Sequence, residues 1–269
     1  MLRSWIYRSF IGVLELNSPA SRNALSKSLL QSMLHSIQRM ERNPDIRVVI
    51  VQAATANTSS SVLPVFSSGH DLKEIQKYQR AKEVDKLRDL FSLSSHVMMS
   101  IANSSKPYIA KVDGLASAAG CQLVAMCDLT YSTERSLFVL PGVNIGVFCS
   151  TPSVGLIHIG IAKSHLMEML LTGDSITAQK AQEIGLINRV FLNEVELNVH
   201  IDHVVAKISS KSPEAIRIGK PLVCSQMSLP LGLEEAYAQA SQSMVKCAMT
   251  HDGQEGISAF LSKRFPNWK

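Results

Sequence analysis

The sequence predicts an α/β fold with crossover connections, and three observations carry that prediction. Strand-like and helix-like stretches alternate through the first half of the chain. Two junctions share one form, a strand, a run of small residues with glycine, then a helix: "VFSSGHDLKEI" (65–75) and "VDGLASAAGCQL" (112–123). Beyond about residue 150 the pattern turns helical. At 269 residues the chain is long enough for one large domain or a domain with a small appendage. Its apolar residues, 46% of the total, are spread along the chain, so a sizeable core is available.

The elements follow in order. "IGVLELN" (11–17) alternates and reads as a strand, with "SPAS" as a turn after it. From Ser26, apolar residues at Leu29, Leu30, Met33, Leu34, Ile37 and Met40 have helix spacing with one buried face. "IRVVIVQA" (46–53) reads as a strand buried on both sides, followed by a loop, "TANTSSS", and then "VLPVF". Leu87, Leu90, Phe91, Ser94, Val97, Met98 and Ile101 mark a long second helix. Pro107 ends the next turn, and "YIAKV" (108–112) and "DLTYST" (128–133) are further strands. "SHLMEMLLTG", "TAQKAQEIG", "IDHVVAKISS", "PEAIRIGKPLVCSQM" and "LEEAYAQASQSMVKCAMT" read as helices whose exposed apolar faces suit packing on neighbouring subunits.

Composition excludes several functions. The charge of +5 is mild and its basic residues are scattered, so no nucleic-acid surface is expected. No run approaches the ~18 apolar residues of a membrane span. The five cysteines (121, 127, 149, 224 and 247) are odd in number and lack a C-x-x-C pair. They read as reduced, mostly buried thiols, and no ligand spacing points to zinc. "MLRSWIYRSF" has Arg3, Arg8, two serines and no acid, the composition of a mitochondrial import signal. The same segment also reads as the start of the fold. The expected compartment is the mitochondrion, with the cytoplasm as the alternative.

The two glycine junctions carry the chemistry. A helix start leaves its first N–H groups unpaired and partly positive. Small residues before it let a ligand approach the backbone. Such an end suits an anion or a developing oxyanion. In "GLASAAGCQLVAMCD" (114–128), seven of the residues are Gly, Ala or Ser, and Gln122 breaks a run that is otherwise apolar. Neither junction is a P-loop or a G-x-G-x-x-G. Taken singly, each is explained as tight packing of helix on strand; taken together they point to a two-donor site.

"FSSGHDLKEI", "KPYIAKVDGLASAAGCQLVAMCDLTY", "LTGDSITAQKAQEIGLINRV", "GISAFLSKR" and the earlier "NSPASRNALS" together resemble the enoyl-CoA hydratase/isomerase (crotonase) superfamily, over nearly the whole chain. The resemblance implies a ClpP/crotonase spiral of ββα units (1–200) and a helical C-terminal trimerisation region (201–269), assembled as a homotrimer or homohexamer. It implies an acyl-CoA thioester as substrate or ligand and no further cofactor. The thioester oxygen would meet the backbone amides of His70 and Ala119. Lys73 would lie near the CoA phosphates, with Ser68, Asp71 and Leu72 in the same segment, and Arg22 would border the adenine. Lys263 and Arg264 resemble a basic pair often supplied by a neighbouring subunit. Asp71 itself reads better as a helix-start acid than as a catalyst.

The same resemblance implies a loss. The family's hydratases place two glutamates where this chain has Gln122 and Gly142. A carboxamide orients a water or a thioester but is no general base near neutral pH. Each such group contributes roughly 10²–10⁴ in rate, so ordinary hydration is expected to be severely impaired. In "NIGVFCSTPS" (144–153), Asn144, Cys149 and Ser150 are the polar candidates for a substitute, with His158 as a conceivable base for Cys149. A buried structural role for Cys149 is the commoner one. Three readings remain: an acyl-CoA enzyme using chiefly the oxyanion hole, an inactive acyl-CoA-binding or regulatory module, and an assembly subunit.

Overall fold

The computed structural model describes residues 1–54, 63–228 and 232–269. The loop expected over 55–61 lies outside the described residues. Strands β1 (Leu2–Tyr7) and β2 (Ile11–Leu16) form an antiparallel hairpin, and helix α1 (Lys27–Arg42) follows. Each later turn of the chain repeats one pattern: a strand in a first sheet, a short strand in a second, then helix. The turns are β3 (Val48–Ala53), β4 (Val65–Ser67), α2 (Leu72–Arg80) and α3 (Val84–Ala102); β5 (Tyr108–Val112), β6 (Leu115–Ser117) and α4 (Ala119–Ala125); and β7 (Leu129–Thr133), β8 (Leu137–Val139), α5 (Ser150–His158) and α6 (Lys163–Thr172). Then β9 (Ser175–Thr177) returns to the second sheet, and α7 (Ala178–Glu183) leads to β10 (Arg189–Phe191) in the first. The first sheet runs β1-β2-β3-β5-β7-β10, parallel from β2 onward. The second runs β4-β6-β8-β9, parallel except for β9. This is the expected α/β spiral of ββα units.

The side-chain period of two explains why β3 is buried throughout its first four residues. Val49 and Val51 point into the core shared with α1 and α3, where Met33, Ile37, Leu90 and Val97 pack. Val48 and Ile50 point the other way, into a second core with Leu197, Ile201 and Val205. Those three lie on α8 (Glu194–Ser209) at helix spacing. The boundary expected at residues 200 and 201 therefore falls inside α8, whose buried face runs through it. The region made only of helices begins later, with α9 (Pro213–Ser228), α10 (Leu233–Met249) and α11 (His251–Leu261).

Two readings need correction. Residues 2–7, read either as an import signal or as part of the fold, form β1, in register from Leu2 opposite Leu16 to Tyr7 opposite Ile11, so the second of those alternatives holds. The stretch beyond residue 150 is not purely helical, because β9 and β10 close the two sheets there. The second sheet itself went unread: each of its strands has three residues, too few to display a period. Among the cysteines, Cys121, Cys127 and Cys149 are buried, and all five are free thiols. Among the described residues no helix is long and apolar enough to cross a membrane, and no cluster of three or more His, Cys, Asp or Glu could hold a metal.

Candidate functional site

The first glycine loop follows β4. Gly69 takes φ +87°, a conformation that side chains rarely adopt. Asp71 then caps α2, its Oδ1 accepting from the N–H groups of Lys73 (2.9 Å) and Glu74 (3.3 Å). Its carboxylate is committed to the helix start, as the sequence suggested. The second loop follows β6. There Ala118 sits at φ 49°, ψ −117°, an alanine forced into a left-handed backbone that costs on the order of 1–3 kcal/mol. Helix α4 begins at the next residue, with every one of its residues buried.

These loops interlock. A methyl group on Gly69 would lie 3.0 Å from Ser117 O and Ala118 Cβ and 3.2 Å from the Ala119 amide nitrogen. A methyl group on Gly120 would lie 2.5 Å from Ser67 O. Each glycine therefore lets its own loop lie against the other. Asn23 anchors the arrangement from below: its Nδ2 donates to Val65 O (2.9 Å), and its carbonyl accepts from Ser67 Oγ (2.9 Å). Three amides at the junction are used. Ser68 N donates to Arg22 O (3.1 Å), Gly69 N to Ser67 Oγ (3.3 Å) and Ala118 N to Val139 O (2.9 Å). Among the described residues, the amides of His70 and Ala119 donate to no protein acceptor.

The His70 ring stands edge-on to Phe91, centroids 5.2 Å apart. Neither ring nitrogen has a hydrogen-bonding partner among the described residues. Burial lowers its pKa below the usual histidine value, against a smaller pull from the Leu25 backbone and Glu74. The ring is therefore neutral near pH 7.

The rest of α4 faces a wall poor in ionisable groups. Gln122 is buried, and its Oε1 has no partner. It packs beside Gly155 of α5, where an added methyl would meet Gln122 Cγ at 3.4 Å. Gly142 has no room for a side chain: a methyl there would lie 2.7 Å from Val147 O and 3.0 Å from Cys149 Sγ. Burial pushes the Cys149 thiol up, only partly offset by the Gly142 backbone. Cys121, wholly buried, is pushed up to about 12 by the same cause, with Cys149 adding to it. Both are thiols rather than thiolates at neutral pH, so neither is an activated nucleophile.

The structure separates other candidates. Cys149 and His158 bracket α5, roughly 14 Å apart along its axis, so His158 is no base for that thiol. His158 instead meets Ser228 Oγ at 3.4 Å. Ser150 is exposed and opens α5. Asn144 is exposed and rests against Gly173. Asp128 lies just ahead of β7: its Oδ2 accepts from Tyr108 N (2.7 Å) and pairs with Lys220 at 3.2 Å.

Arg22, Leu72 and Lys73 are exposed, and the Arg22 carbonyl ties its segment to Ser68. Lys263 and Arg264 are not brought to them within this chain. Arg264 is held by a two-pronged pair with Glu255, at 2.6 and 2.8 Å, which lowers the Glu255 carboxyl to about 2. Sequence reasoning missed Asn23, Ala118, Phe91 and Gly155. The first carries a readable signal, since asparagine tolerates the left-handed backbone (φ 54°) that it adopts. The others depend on which loops meet.

Comparison with known proteins agrees with this geometry. The sequence profile of the "Enoyl-CoA hydratase/isomerase" family matches residues 7–269. The chain is 43% identical over 253 residues to "Enoyl-CoA hydratase domain-containing protein 3, mitochondrial" of Mus musculus, covering 94% of this chain and 79% of the relative. It is 32% identical over 257 residues to "2,3-dehydroadipyl-CoA hydratase" of Escherichia coli, covering 96% and 94%. The crystal structure of human enoyl coenzyme A hydratase domain-containing protein 3 superposes with TM-score 0.90 at 40% identity, over 99% of each chain. An enoyl-CoA hydratase from Mycobacterium smegmatis gives 0.89 at 36% identity, over 99% and 98%. With a matching profile over almost its whole length, the spiral of ββα units and the relatives alike, this chain belongs to the enoyl-CoA hydratase/isomerase (crotonase) family.

Proposed function

We propose that the protein binds an acyl-CoA thioester and stabilises its enolate between the backbone amides of His70 and Ala119. The observation that carries this is the pair of unpartnered amides, His70 N and Ala119 N, flanking an interlocked, strained junction in which the amides of Ser68, Gly69 and Ala118 are occupied. Buried donors without partners are costly, and a thioester oxygen would meet them. As charge moves onto that oxygen, each donor contributes roughly 3–4 kcal/mol. Arg22 and Lys73, with Ser68 and Leu72, would border the CoA moiety. Lys263 and Arg264 would reach it from a neighbouring subunit in a homotrimer or homohexamer. The exposed Leu233, Tyr237, Met244, Phe260 and Leu261 of the C-terminal helices suit that assembly. The mitochondrial relatives support a mitochondrial location.

A second reading has its own support. Gln122 holds no transferable proton near neutral pH, and Cys149 occupies the space beside Gly142. These features favour an acyl-CoA-binding or regulatory subunit without ordinary hydratase turnover. Isothermal titration with a non-hydrolysable acyl-CoA, followed by a turnover screen on enoyl-, dienoyl- and hydroxyacyl-CoAs, decides among them. Saturable binding is expected. Binding without turnover selects the module, and turnover abolished by Cys149→Ala or Ser150→Ala selects a repurposed enzyme. No binding at all overturns the proposal and leaves an assembly role.

A further inference from the structure

We propose that the cleft between the C-terminal end of α1, the start of β5 and the N-terminal end of α9 binds a small phosphate-bearing anion, at a site separate from the acyl site. The cleft has a volume of about 380 Å³. That lies within the range of small-molecule pockets, roughly 300–1,000 Å³. Arg42, Arg47, Lys106, Arg217 and Lys269 line it with the carboxylates Glu41 and Glu214, and Asp45 and Asp252 lie close enough to act on Lys106 and Arg47.

Both lining carboxylates are already engaged. Glu41 accepts from Ser104 Oγ (2.5 Å) and from Ser105 N (3.1 Å) and Oγ (2.5 Å). Burial opposes its ionisation, but these donors and Lys106 hold its carboxyl below the ordinary value. Glu214 Oε2 accepts from Asp252 N (3.2 Å), while its Oε1 faces Arg217 at 3.6 Å. The cations are less well served. Among the described residues Arg42, Arg47 and Lys106 form no ion pair. Arg47 donates to the carbonyl of Lys211; the Lys106 ammonium meets the carbonyls of Met40 (2.6 Å) and Asn43. Two cations partly withdrawn from water thus have carbonyls for partners where an anion would serve better.

Three guanidiniums lining one cleft, Arg42 from α1, Arg47 ahead of β3 and Arg217 from α9, suit phosphate, whose oxygens take paired N–H donors. The N-terminal end of the 16-residue α9, at Pro213, opens onto the same space and adds partial positive charge. The cleft opens ahead of β3 and β5, whereas the glycine loops follow β4 and β6, and no lining residue belongs to the acyl site. An anion there would tie α9 to α1.

The test is titration of the full-length protein with inorganic pyrophosphate at low salt, read by calorimetry and by the thermal midpoint. Saturable binding and a rising midpoint are expected, both weakened by added salt. In Arg42→Gln/Arg217→Gln the affinity should fall about tenfold, with acyl-CoA binding unchanged. Both side chains are exposed, so the variant should fold. ADP in parallel separates the two sources: tighter binding than pyrophosphate assigns a nucleotide, weaker binding a bare phosphate group. No saturation by about 10 mM, equal affinity in the variant, or competition with acyl-CoA would overturn the assignment.

Discussion

Gly69 and Gly120 each lean on the other's loop, whereas Gly142 leans on its own segment, against Val147 and Cys149. The first arrangement joins two distant parts of the chain and leaves two amides without partners. The second closes a space and puts a thiol, raised by burial, beside it. On the junction side, the strained Ala118 packs against the main core, next to Gly69. On the wall side the polar groups are quiet: a carboxamide, a raised thiol and a glycine with no room. The contrast suits a site that holds an oxygen and its charge better than one that moves protons.

The largest expected effect comes from breaking the interlock. Gly120→Val should press its side chain into Ser67 O and cost about 3 kcal/mol or more, measured by urea denaturation. Gly69→Ala adds a strained left-handed backbone to a 3.0 Å contact. It should cost about 2–3 kcal/mol and abolish acyl-CoA binding in titration. Unchanged binding in Gly69→Ala would separate the junction from the ligand.

Next comes the wall. Gly142→Glu should destabilise by about 1–3 kcal/mol rather than create a working hydratase. Adding Cys149→Gly should recover part of that cost, as a coupling of about 1 kcal/mol in a double-mutant cycle. Strict additivity would mean that Cys149 is not what fills the space.

A smaller effect is expected at Gln122. Gln122→Met removes a buried acceptor that has no protein partner, so it should change stability by less than about 1 kcal/mol. Gln122→Glu should instead make stability fall as pH rises, because burial raises a carboxyl's pKa in the folded state. Thermal midpoints between pH 4 and 8 would show it.

The smallest is acid sensitivity through His70. Its folded pKa lies below the ordinary 6.5, so the unfolded chain takes up the proton first. The His70 contribution is intact above that value and is lost as pH falls from it toward the folded pKa. His70→Phe should flatten the decline of the thermal midpoint below pH 6.5. His200, also lowered by burial and by Arg189, should leave a residual slope of the same sign. An unaltered slope would mean that the ring is already hydrogen-bonded in solution.

Much of this was legible in the chain itself. The period-two and helix-spaced runs that became β2, β3, α1 and α3 are long enough to declare themselves, and both glycine junctions stand out by composition. Asp71 as a cap follows from local chemistry. Other features depend on contacts between distant segments. The three-residue strands of the second sheet have no pattern of their own and exist only because neighbouring strands pair with them. Cys149 read as a possible nucleophile until burial and distance from His158 removed the means to activate it. That Glu255 orients Arg264 could not be read from the sequence, because it depends on how the chain after α11 folds back. Local propensity and periodicity act over a turn or a strand, so the sequence alone determined the elements and the two loops. Which amides were left without a partner, and which polar groups were silenced, are three-dimensional facts about packing, and only the tertiary structure decided them.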